Sequence, residues 1–235
     1  MKQNAIAIIT ARGGSKRIPH KNIKEFCGKP IIAYSIKAAL ESGLFEEVMV
    51  STDDPKIAEI AKEYGANVPF MRSAENANDF ATTSDVLNEV VEAYRQNGKL
   101  FDYVCCIYPT APFITVQKLQ EAFSLLVEND VEQVLPVVRF SFPPQRCFIV
   151  GEDSLLHYKW PENQPKRSQD LEPFYHDAGQ FYCFKANVFY EHKNTANLVT
   201  KALILSDLEV QDIDNEEDWA IAEMKYQLMV KKAKL

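Results

Sequence analysis

The order of apolar and polar positions along the chain predicts strands and helices that alternate. Short apolar runs, typical of strands buried on both faces, occur at 5–9, 47–51, 103–108, 133–138, 180–184 and 201–205. Apolar residues recur at helical spacing over 30–40, 55–64, 83–97, 116–128 and 215–232. A shorter strand is predicted at 67–70 and a shorter helix from Ala186. This alternation indicates an α/β fold with a doubly wound, mostly parallel sheet.

The segment 139–175 breaks this pattern. It is rich in prolines and aromatic residues, such as the Phe-Pro-Pro run at 142–144. We interpret the chain as a single domain, 1–235, with an inserted arm at about 139–175 that forms one or two short hairpins. Exposed aromatic side chains in the arm would indicate a partner surface, and a loop layer packed on itself is the equal alternative.

Composition narrows the classes of function. Lys and Arg number 26 against 33 Asp and Glu, a formal net charge of −7, whereas proteins that bind nucleic acid or anionic membranes carry a basic face. No apolar run approaches the roughly 20 residues of a membrane span, and no signal-peptide pattern occurs. The five cysteines lack C-x-x-C spacing, which argues against a disulfide framework or a zinc site and favours a cytoplasmic protein.

A short stretch directly after the first strand concentrates positive charge. Its cations are Arg12, Lys16, Arg17 and Lys21. The glycines at 13 and 14 would let the backbone turn sharply and leave its N–H groups open to a ligand. A bent, cationic loop at the end of a strand suits a polyphosphate, although an ordinary solvated turn has the same composition. Neither a Walker A pattern nor a dinucleotide fingerprint occurs, so side-chain cations would have to hold a nucleotide.

Two aspartates, Asp212 and Asp214, stand between the last strand and the last helix. Carboxylates two positions apart on extended backbone point to the same side. Such oxygen ligands suit Mg²⁺, which takes its other ligands from water and phosphate. Helix capping is the alternative, with Asp214 or Asn215 as the N-cap and Glu217 or Asp218 completing a capping box.

Two other polar segments have structural explanations of their own. Asp54 before Pro55 is a good N-cap, and Asp53 beside it could help to shape a site at the carboxyl edge of the sheet. The polar loop at 72–83 is long enough to suggest a function, and Thr83 is the predicted N-cap of the helix that follows.

The stretch from Ile9 to Asn22 resembles the opening motif of the cytidylyltransferases that make CMP-activated nonulosonic acids and Kdo. Further separated motifs agree with that family in order, over nearly the whole chain. The resemblance implies a nucleotide-diphospho-sugar transferase-like fold, with CTP and an acidic nine-carbon sugar as substrates and Mg²⁺ as cofactor. It also implies a homodimer in which the arm of one subunit completes the site of the other.

The same resemblance assigns roles to individual residues. The nucleotide-binding set comprises Ala11, Arg12, Gly13, Ser15, Lys16, Arg17, Lys21, Asn22, Arg72, Ala81 and Thr83. The implied metal ligands are Asp212 and Asp214. Arg12, Lys16 and Lys21 would meet the leaving pyrophosphate. Asp214 is the candidate general base, directly or through water.

Segments further along the chain indicate which sugar is bound. The candidate sugar-binding residues are Tyr108, Arg167, Gln169, Asp177 and Gln180. Arg167 could pair bidentately with a sugar carboxylate. Family members that act on sialic acid usually carry Gln at the Tyr108 position and Asn-Gly where this chain has Asp-Ala-Gly at 177–179. The chain therefore most resembles the branch that acts on pseudaminic acid.

The resulting hypothesis is a nucleotidyltransferase in which the anomeric hydroxyl of pseudaminic acid attacks the α-phosphorus of CTP in line. The nearest alternative is the same reaction on sialic acid, legionaminic acid or Kdo. A non-catalytic nucleotide-binding module is the alternative from another class, and a nicotinamide oxidoreductase is disfavoured by the missing glycine fingerprint. The hypothesis requires the cationic loop and the two aspartates to meet in space.

Overall fold

The computed structural model describes residues 3–192 and 195–232 of the chain. The helices are α1 (Ile32–Glu41), α2 (Pro55–Glu63), α3 (Thr83–Gln96), α4 (Val116–Glu128) and α5 (Glu216–Lys232). The strands are β1 (Ala5–Thr10), β2 (Glu25–Phe26), β3 (Lys29–Pro30), β4 (Glu47–Ser51), β5 (Tyr103–Ile107), β6 (Gln133–Arg139), β7 (Phe148–Val150), β8 (Leu156–Tyr158), β9 (Tyr175–Asp177), β10 (Phe181–Lys185) and β11 (Thr200–Leu205).

In the described residues, seven strands form one central sheet. Six follow the order β11-β6-β10-β5-β1-β4, and β9 pairs with β6 off this path. β1 pairs in parallel with β4 and β5, and β6 with β11. β10 runs antiparallel between β5 and β6, and β9 runs antiparallel to β6. The sheet is therefore mixed, although most of its strands share one direction as predicted.

The reversed direction of β10 follows from the absence of a crossover. A parallel connection needs a segment that carries the chain back across the sheet, usually a helix. Between β6 and β10 the described chain contains no α-helix. The chain therefore re-enters the sheet at the edge where β6 ended, and both β9 and β10 run backwards.

Two apolar layers cover the central strands. Ala5, Ala7 and Ile9 pack with residues of α1, α2 and α4 on one face, and Ile6 and Ile8 pack with residues of α3 on the other. Successive side chains of a strand point to opposite faces, so both faces of β1 are buried. This burial explains why the β1 sequence is apolar without alternation.

A third apolar cluster joins the segment after β1 to the last helix. Ile18 and Phe26 belong to it, together with Ile213 and Trp219 from the other end of the chain. The Phe26 ring makes edge contacts with the rings of Trp219 and Tyr226, with centroids 5.6 Å apart in each pair. The cluster thus holds the beginning of the chain against α5.

Two local predictions near the ends of helices are wrong. α1 begins at Ile32, and Pro30 lies in β3, which pairs with β2. No strand spans 67–70; Asn67 forms only an isolated bridge to Met49. The proline at position 69 has no N–H for a ladder hydrogen bond, which explains why the pairing stops.

The chain leaves the sheet between β6 and β9, in the predicted arm. β7 and β8 form a hairpin there, and Val150 and Leu156 of this hairpin are 65% and 63% exposed. After β10, the short helix predicted from Ala186 is a π-helical turn at Val188–His192.

The helices and the cysteines of the described residues bear on membrane insertion and on disulfide bonding. In 3–192 and 195–232, no helix is both long and apolar enough to cross a bilayer. The five cysteines are free thiols. Cys105 and Cys106 are buried in the core, and burial raises the pKa of Cys106 to about 12.

Candidate functional site

The loops that follow β1 and β4 lie together at the carboxyl edge of the sheet. Buried Ala11 donates its N–H to Ser51 O at 3.0 Å. Gly13 donates its N–H to Asp53 Oδ1 at 2.9 Å. A Cβ at this glycine would lie 2.9 Å from Asp54 Oδ2. Gly13 is therefore needed for the close approach of these loops, and its N–H is not open to a ligand as the sequence suggested.

The basic loop, defined here as residues 11–22, is fixed by its own polar groups. Asn22 is buried and donates its Nδ2 to Arg12 O at 2.8 Å. His20 adopts a left-handed conformation with φ of 54° and leads into a single 3-10 turn at Lys21–Ile23. These contacts bend the loop back on itself, so that the side chains of Lys16 and Arg17 are exposed and that of Lys21 is half-buried.

The basic loop meets the segment 212–214, as the hypothesis required. Arg17 Nη2 lies 2.7 Å from Asp214 Oδ1. Lys21 Nζ donates to Ile213 O at 2.7 Å and lies 4.0 Å from Asp214 Oδ1. Burial lowers the pKa of Lys21, against the opposing charges of Asp214 and Asp212. Both carboxylates are thus close enough to act on one half-buried ammonium.

The carboxylates of Asp212 and Asp214, the predicted metal ligands, do not cap α5. Asn215 Oδ1 accepts the Asp218 N–H at 2.9 Å, and Asp218 Oδ2 accepts the N–H groups of Asp214 and Asn215 at 2.9 and 3.1 Å. Ile213 between the aspartates is buried. Asn215 and Asp218 therefore form the capping box, and the carboxylates of Asp212 and Asp214 remain for cations.

Asp79, in the 72–83 loop, holds two cations of the basic loop. Its Oδ1 lies 2.9 Å from Arg12 Nη1, and its Oδ2 lies 2.5 Å from Lys16 Nζ. The hydrogen bond and the charge of Lys16 lower the pKa of Asp79. A carboxylate therefore lies where the loop would contact an anionic ligand.

A first cavity of about 300 Å³ opens between these loops. Its lining includes Arg12, Ser15, Lys21, Asn22, Arg72, Ala81, Thr83 and Tyr108. Lys16 and Arg17 line an adjacent groove. The structure thus brings together the predicted nucleotide-binding residues except Ala11 and Gly13, which do not line either space.

Arg72 and Thr83 shape the wall of this cavity. Arg72 is buried, donates to Ser51 O at 2.6 Å and to Ser51 Oγ at 3.0 Å, and has a pKa lowered by burial. Thr82, and not Thr83 as predicted, caps α3 in a capping box with Asp85. The Thr83 hydroxyl is consequently free of capping and lies 3.2 Å from the Tyr108 hydroxyl.

A second cavity of about 650 Å³ adjoins the first. Tyr108 and Thr110 line both cavities. The titratable groups in its lining, besides Tyr108, are His176, Asp177, Asp207, Asp212 and Lys225. The Asp177 carboxylate accepts the Gly179 N–H at 2.7 Å and the Tyr182 hydroxyl at 2.8 Å. A ligand bound beside Tyr108 and Thr110 would therefore contact the linings of both cavities.

Of the predicted sugar-binding residues, Tyr108 and Asp177 line this cavity, whereas Arg167, Gln169 and Gln180 do not. Gln180 is buried and donates its Nε2 to Glu209 O. Arg167 pairs with Asp170 at 2.8 Å, and its side chain is 73% exposed. Gln169 lines a neighbouring groove that shares Val138, Ser141 and Asp207 with the second cavity. Their assignment to the sugar remains a prediction.

Two residues near the second cavity were missed from the sequence. Lys225 in α5 donates its Nζ to Val210 O at 2.8 Å and to Asp207 O at 3.1 Å. Tyr182 in β10 packs against Tyr108, with ring centroids 5.4 Å apart. A lysine on a helix and a tyrosine in a strand carry no local signal, and only the tertiary structure places them here.

Comparison with known proteins relates nearly the whole chain to one family. The family model described as Cytidylyltransferase matches residues 6–233. A pseudaminic acid cytidylyltransferase of Campylobacter jejuni is 37% identical over 95% of this chain and 96% of its own. A CMP-N,N'-diacetyllegionaminic acid synthase of Legionella pneumophila is 36% identical, again over 95% of this chain and 96% of its own.

A solved structure supports the fold. The structure of a CMP:2-keto-3-deoxy-manno-octonic acid synthetase complexed with CTP aligns with a TM-score of 0.70 at 18% identity. The alignment covers 97% of this chain and 99% of that one. The predicted α/β class with a central sheet is confirmed.

Proposed function

Because the chain belongs to the cytidylyltransferase family, we propose that it joins CTP to pseudaminic acid, giving CMP-pseudaminic acid and pyrophosphate. The observation that carries this proposal is the contact between the basic loop and the segment 212–214, beside two adjoining cavities. Nucleotidyl transfer needs cations for the leaving phosphates and carboxylates for a metal ion. Lys21 Nζ and the Asp214 carboxylate provide both within 4.0 Å.

The first cavity and its adjacent groove would hold the nucleotide. Arg12, Lys16 and Lys21 would contact the phosphates, and their charge would offset the negative charge that develops on the leaving pyrophosphate. Because Asp79 bridges Arg12 and Lys16, phosphate oxygens would replace this carboxylate. Thr83, with Ala81, would face the nucleoside from the opposite wall.

Asp212 and Asp214 are the residues that would hold Mg²⁺. Their carboxylates are oxygen ligands of the type Mg²⁺ prefers, and phosphate and water complete its coordination. In the described residues, no group of three or more His, Cys, Asp or Glu could hold a metal, which fits an ion held partly by substrate. When bound, the ion would neutralise charge at the α-phosphate.

The second cavity would place the sugar next to the nucleotide. The anomeric hydroxyl would attack the α-phosphorus in line, and the bond to pyrophosphate would break as the new bond forms. The hydroxyl proton would pass to Asp214, directly or through water. Tyr108, which lines both cavities, would contact the substrates where they meet.

The test is pyrophosphate release from CTP and Mg²⁺ with a panel of pseudaminic, legionaminic and sialic acids and Kdo. We expect the highest kcat/KM with pseudaminic acid. Asp212→Asn and Asp214→Asn should each lower kcat by about 10²–10³-fold and raise the Mg²⁺ concentration needed for half-maximal rate. Asp130→Asn, which affects an exposed carboxylate 3.8 Å from Lys185, is the matched control. CTP binding without pyrophosphate release on any sugar would instead support a non-catalytic nucleotide-binding module.

The arm supports a proposed homodimer. Its hairpin exposes Val150 and Leu156, and Arg167, the predicted carboxylate ligand, lies outside both cavities of its own chain. A second copy that covers the hairpin would bury these apolar side chains and bring an arm towards a neighbouring site. Light scattering should give a dimer mass for the unchanged chain and a monomer mass for the Val150→Asp, Leu156→Asp double variant. A monomer for the unchanged chain would refute the proposal.

A further inference from the structure

We propose that Lys225 binds the carboxylate of the sugar, an inference that rests on the proposed function. Among the described residues that line the second cavity, Lys225 carries the one ammonium or guanidinium group. Asp177, Asp207 and Asp212 line the same cavity. An acidic sugar would enter against these carboxylates, so the position of the cation decides where its own carboxylate can lie.

The Lys225 ammonium is held in place before any ligand binds. Its Nζ donates to Val210 O at 2.8 Å and to Asp207 O at 3.1 Å. An ammonium has three donors, so one donor remains for a ligand. The helix beneath it is anchored, because Trp219 and Ala222 are buried in the third apolar cluster. Little side-chain entropy would therefore be lost when a carboxylate binds.

The other cationic side chains are less well placed for this role. Within its own chain, Arg167 is paired with Asp170, is mostly exposed and does not line the cavity; in the proposed homodimer, the arm of the neighbouring subunit would add its Arg167 to a carboxylate already held by Lys225. The His176 ring lies in the cavity lining, but its Nδ1 is 2.9 Å from Asp177 O. Lys21 lines the first cavity and donates to Ile213 O.

The chemistry of the sugar gives this contact a consequence for the reaction. In a 2-keto sugar acid, the carboxyl carbon is bonded directly to the carbon that bears the anomeric hydroxyl. A carboxylate fixed at Lys225 would therefore fix the reacting hydroxyl as well. Asp207 and Val210, which hold the ammonium, belong to the turn that leads into Asp212. Lys225 would thus select acidic sugars and present their hydroxyl near the metal-binding segment.

The experiment compares two substrates in two proteins. The substrates are the acidic sugar and its neutral C1 carboxamide, and the proteins are the unchanged chain and Lys225→Met. A hydrogen bond to a charged group predicts a preference for the acid of about 10- to 150-fold in kcat/KM in the unchanged chain. We expect Lys225→Met to reduce that preference to within about threefold, through the acid alone, with an unchanged KM for CTP.

Further variants distinguish binding of the sugar carboxylate by Lys225 from a purely structural role of this residue. Lys225→Arg should keep the preference, and Lys201→Met, which removes an ammonium bonded to Asn129 Oδ1 at 2.5 Å, should leave it unchanged. If Lys225→Met does not fold, Lys225→Gln carries the same expectation. An equal loss for acid and amide, or a preserved preference, would overturn the inference. If the unchanged chain converts no acidic sugar, the proposed function itself fails, and the inference fails with it.

Discussion

Replacing Lys21 by Met tests whether the basic loop contributes charge to the reaction and not only structure. Its Nζ is 2.7 Å from Ile213 O and 4.0 Å from Asp214 Oδ1, and its side chain is 21% exposed. Methionine keeps an unbranched apolar stem of similar length but removes the ammonium. The variant therefore isolates the effect of the charge.

Two magnitudes follow from this geometry. Loss of a hydrogen bond from a charged donor costs about 1.5–3 kcal/mol. The variant also no longer has to desolvate an ammonium, which offsets part of this cost. We therefore expect a net destabilisation of about 1–2 kcal/mol. For a chain of this size, that change lowers Tm by about 2–8 °C and leaves the protein folded. Removal of a preorganised charge from the leaving group lowers kcat by about 10²–10³-fold. The loss of activity should therefore far exceed any loss of folded protein.

The assay is pyrophosphate release, with thermal unfolding measured on the same samples. Lys24→Met is the matched control, because Lys24 Nζ lies 2.5 Å from Glu216 Oε2 and 4.6 Å from the Trp219 ring centroid but lines neither cavity. We expect this control to lower Tm slightly and to keep kcat/KM within about threefold, as for a partly exposed ion pair. A Lys21→Met protein within tenfold of the unchanged kcat/KM, or an equal loss in the control, would refute the reasoning.

Three further predictions concern the pH dependence of activity, the Asp79 carboxylate and the third apolar cluster. Burial lowers the pKa of Lys21 below that of an ordinary lysine, so activity that needs the ammonium should fall as pH rises, at a lower pH than an ordinary lysine would give. Lys21→Arg should remove this limb of the kcat/KM profile, and an identical limb in both proteins would contradict the assignment. Asp79→Asn frees Arg12 and Lys16 and should lower the Kd for CTP several-fold in calorimetry at low ionic strength, whereas weaker binding would show that Asp79 orders the loop instead. Trp219→Ala, at a position that is 4% exposed, should lower the free energy of unfolding by about 3–5 kcal/mol in urea titrations, with a smaller loss in Trp219→Phe.

Elements whose signals are local were predicted well from the sequence. The Asp54 cap is confirmed, because its side chain accepts the Lys56 N–H at the start of α2, and an Asp-Pro pair is a local signal. The strand at β1 was recognisable because a strand buried on both faces has to be apolar throughout. The juxtaposition of the basic loop with 212–214 was reached from the family resemblance rather than from any periodicity.

Features that depend on distant residues could not be predicted in this way. The Gly13 N–H was expected to face a ligand, but Asp53 accepts it at 2.9 Å. The Thr82 cap is different, because Asp85 three residues later completes a local capping-box pattern that distinguishes Thr82 from Thr83 in the sequence itself. Lys225 resembles any surface lysine of a helix until Val210 and Asp207 are seen beside its ammonium. For Gly13 and Lys225, the deciding partner lies far away in the sequence, and only tertiary packing brings it close.

The third apolar cluster, more than the ion pairs, determines where the site forms. The Arg17–Asp214 and Lys24–Glu216 pairs join the two ends of the chain, but their side chains are 69%/38% and 32%/64% exposed, and such pairs contribute about 0–1 kcal/mol each. Ile18 and Ile213 belong to the two segments that meet, and each is 1% exposed. Burying one such side chain contributes about 1.5–3 kcal/mol. Apolar packing therefore fixes the distance between the basic loop and the aspartates, and the charged groups are left free to exchange partners when substrates bind.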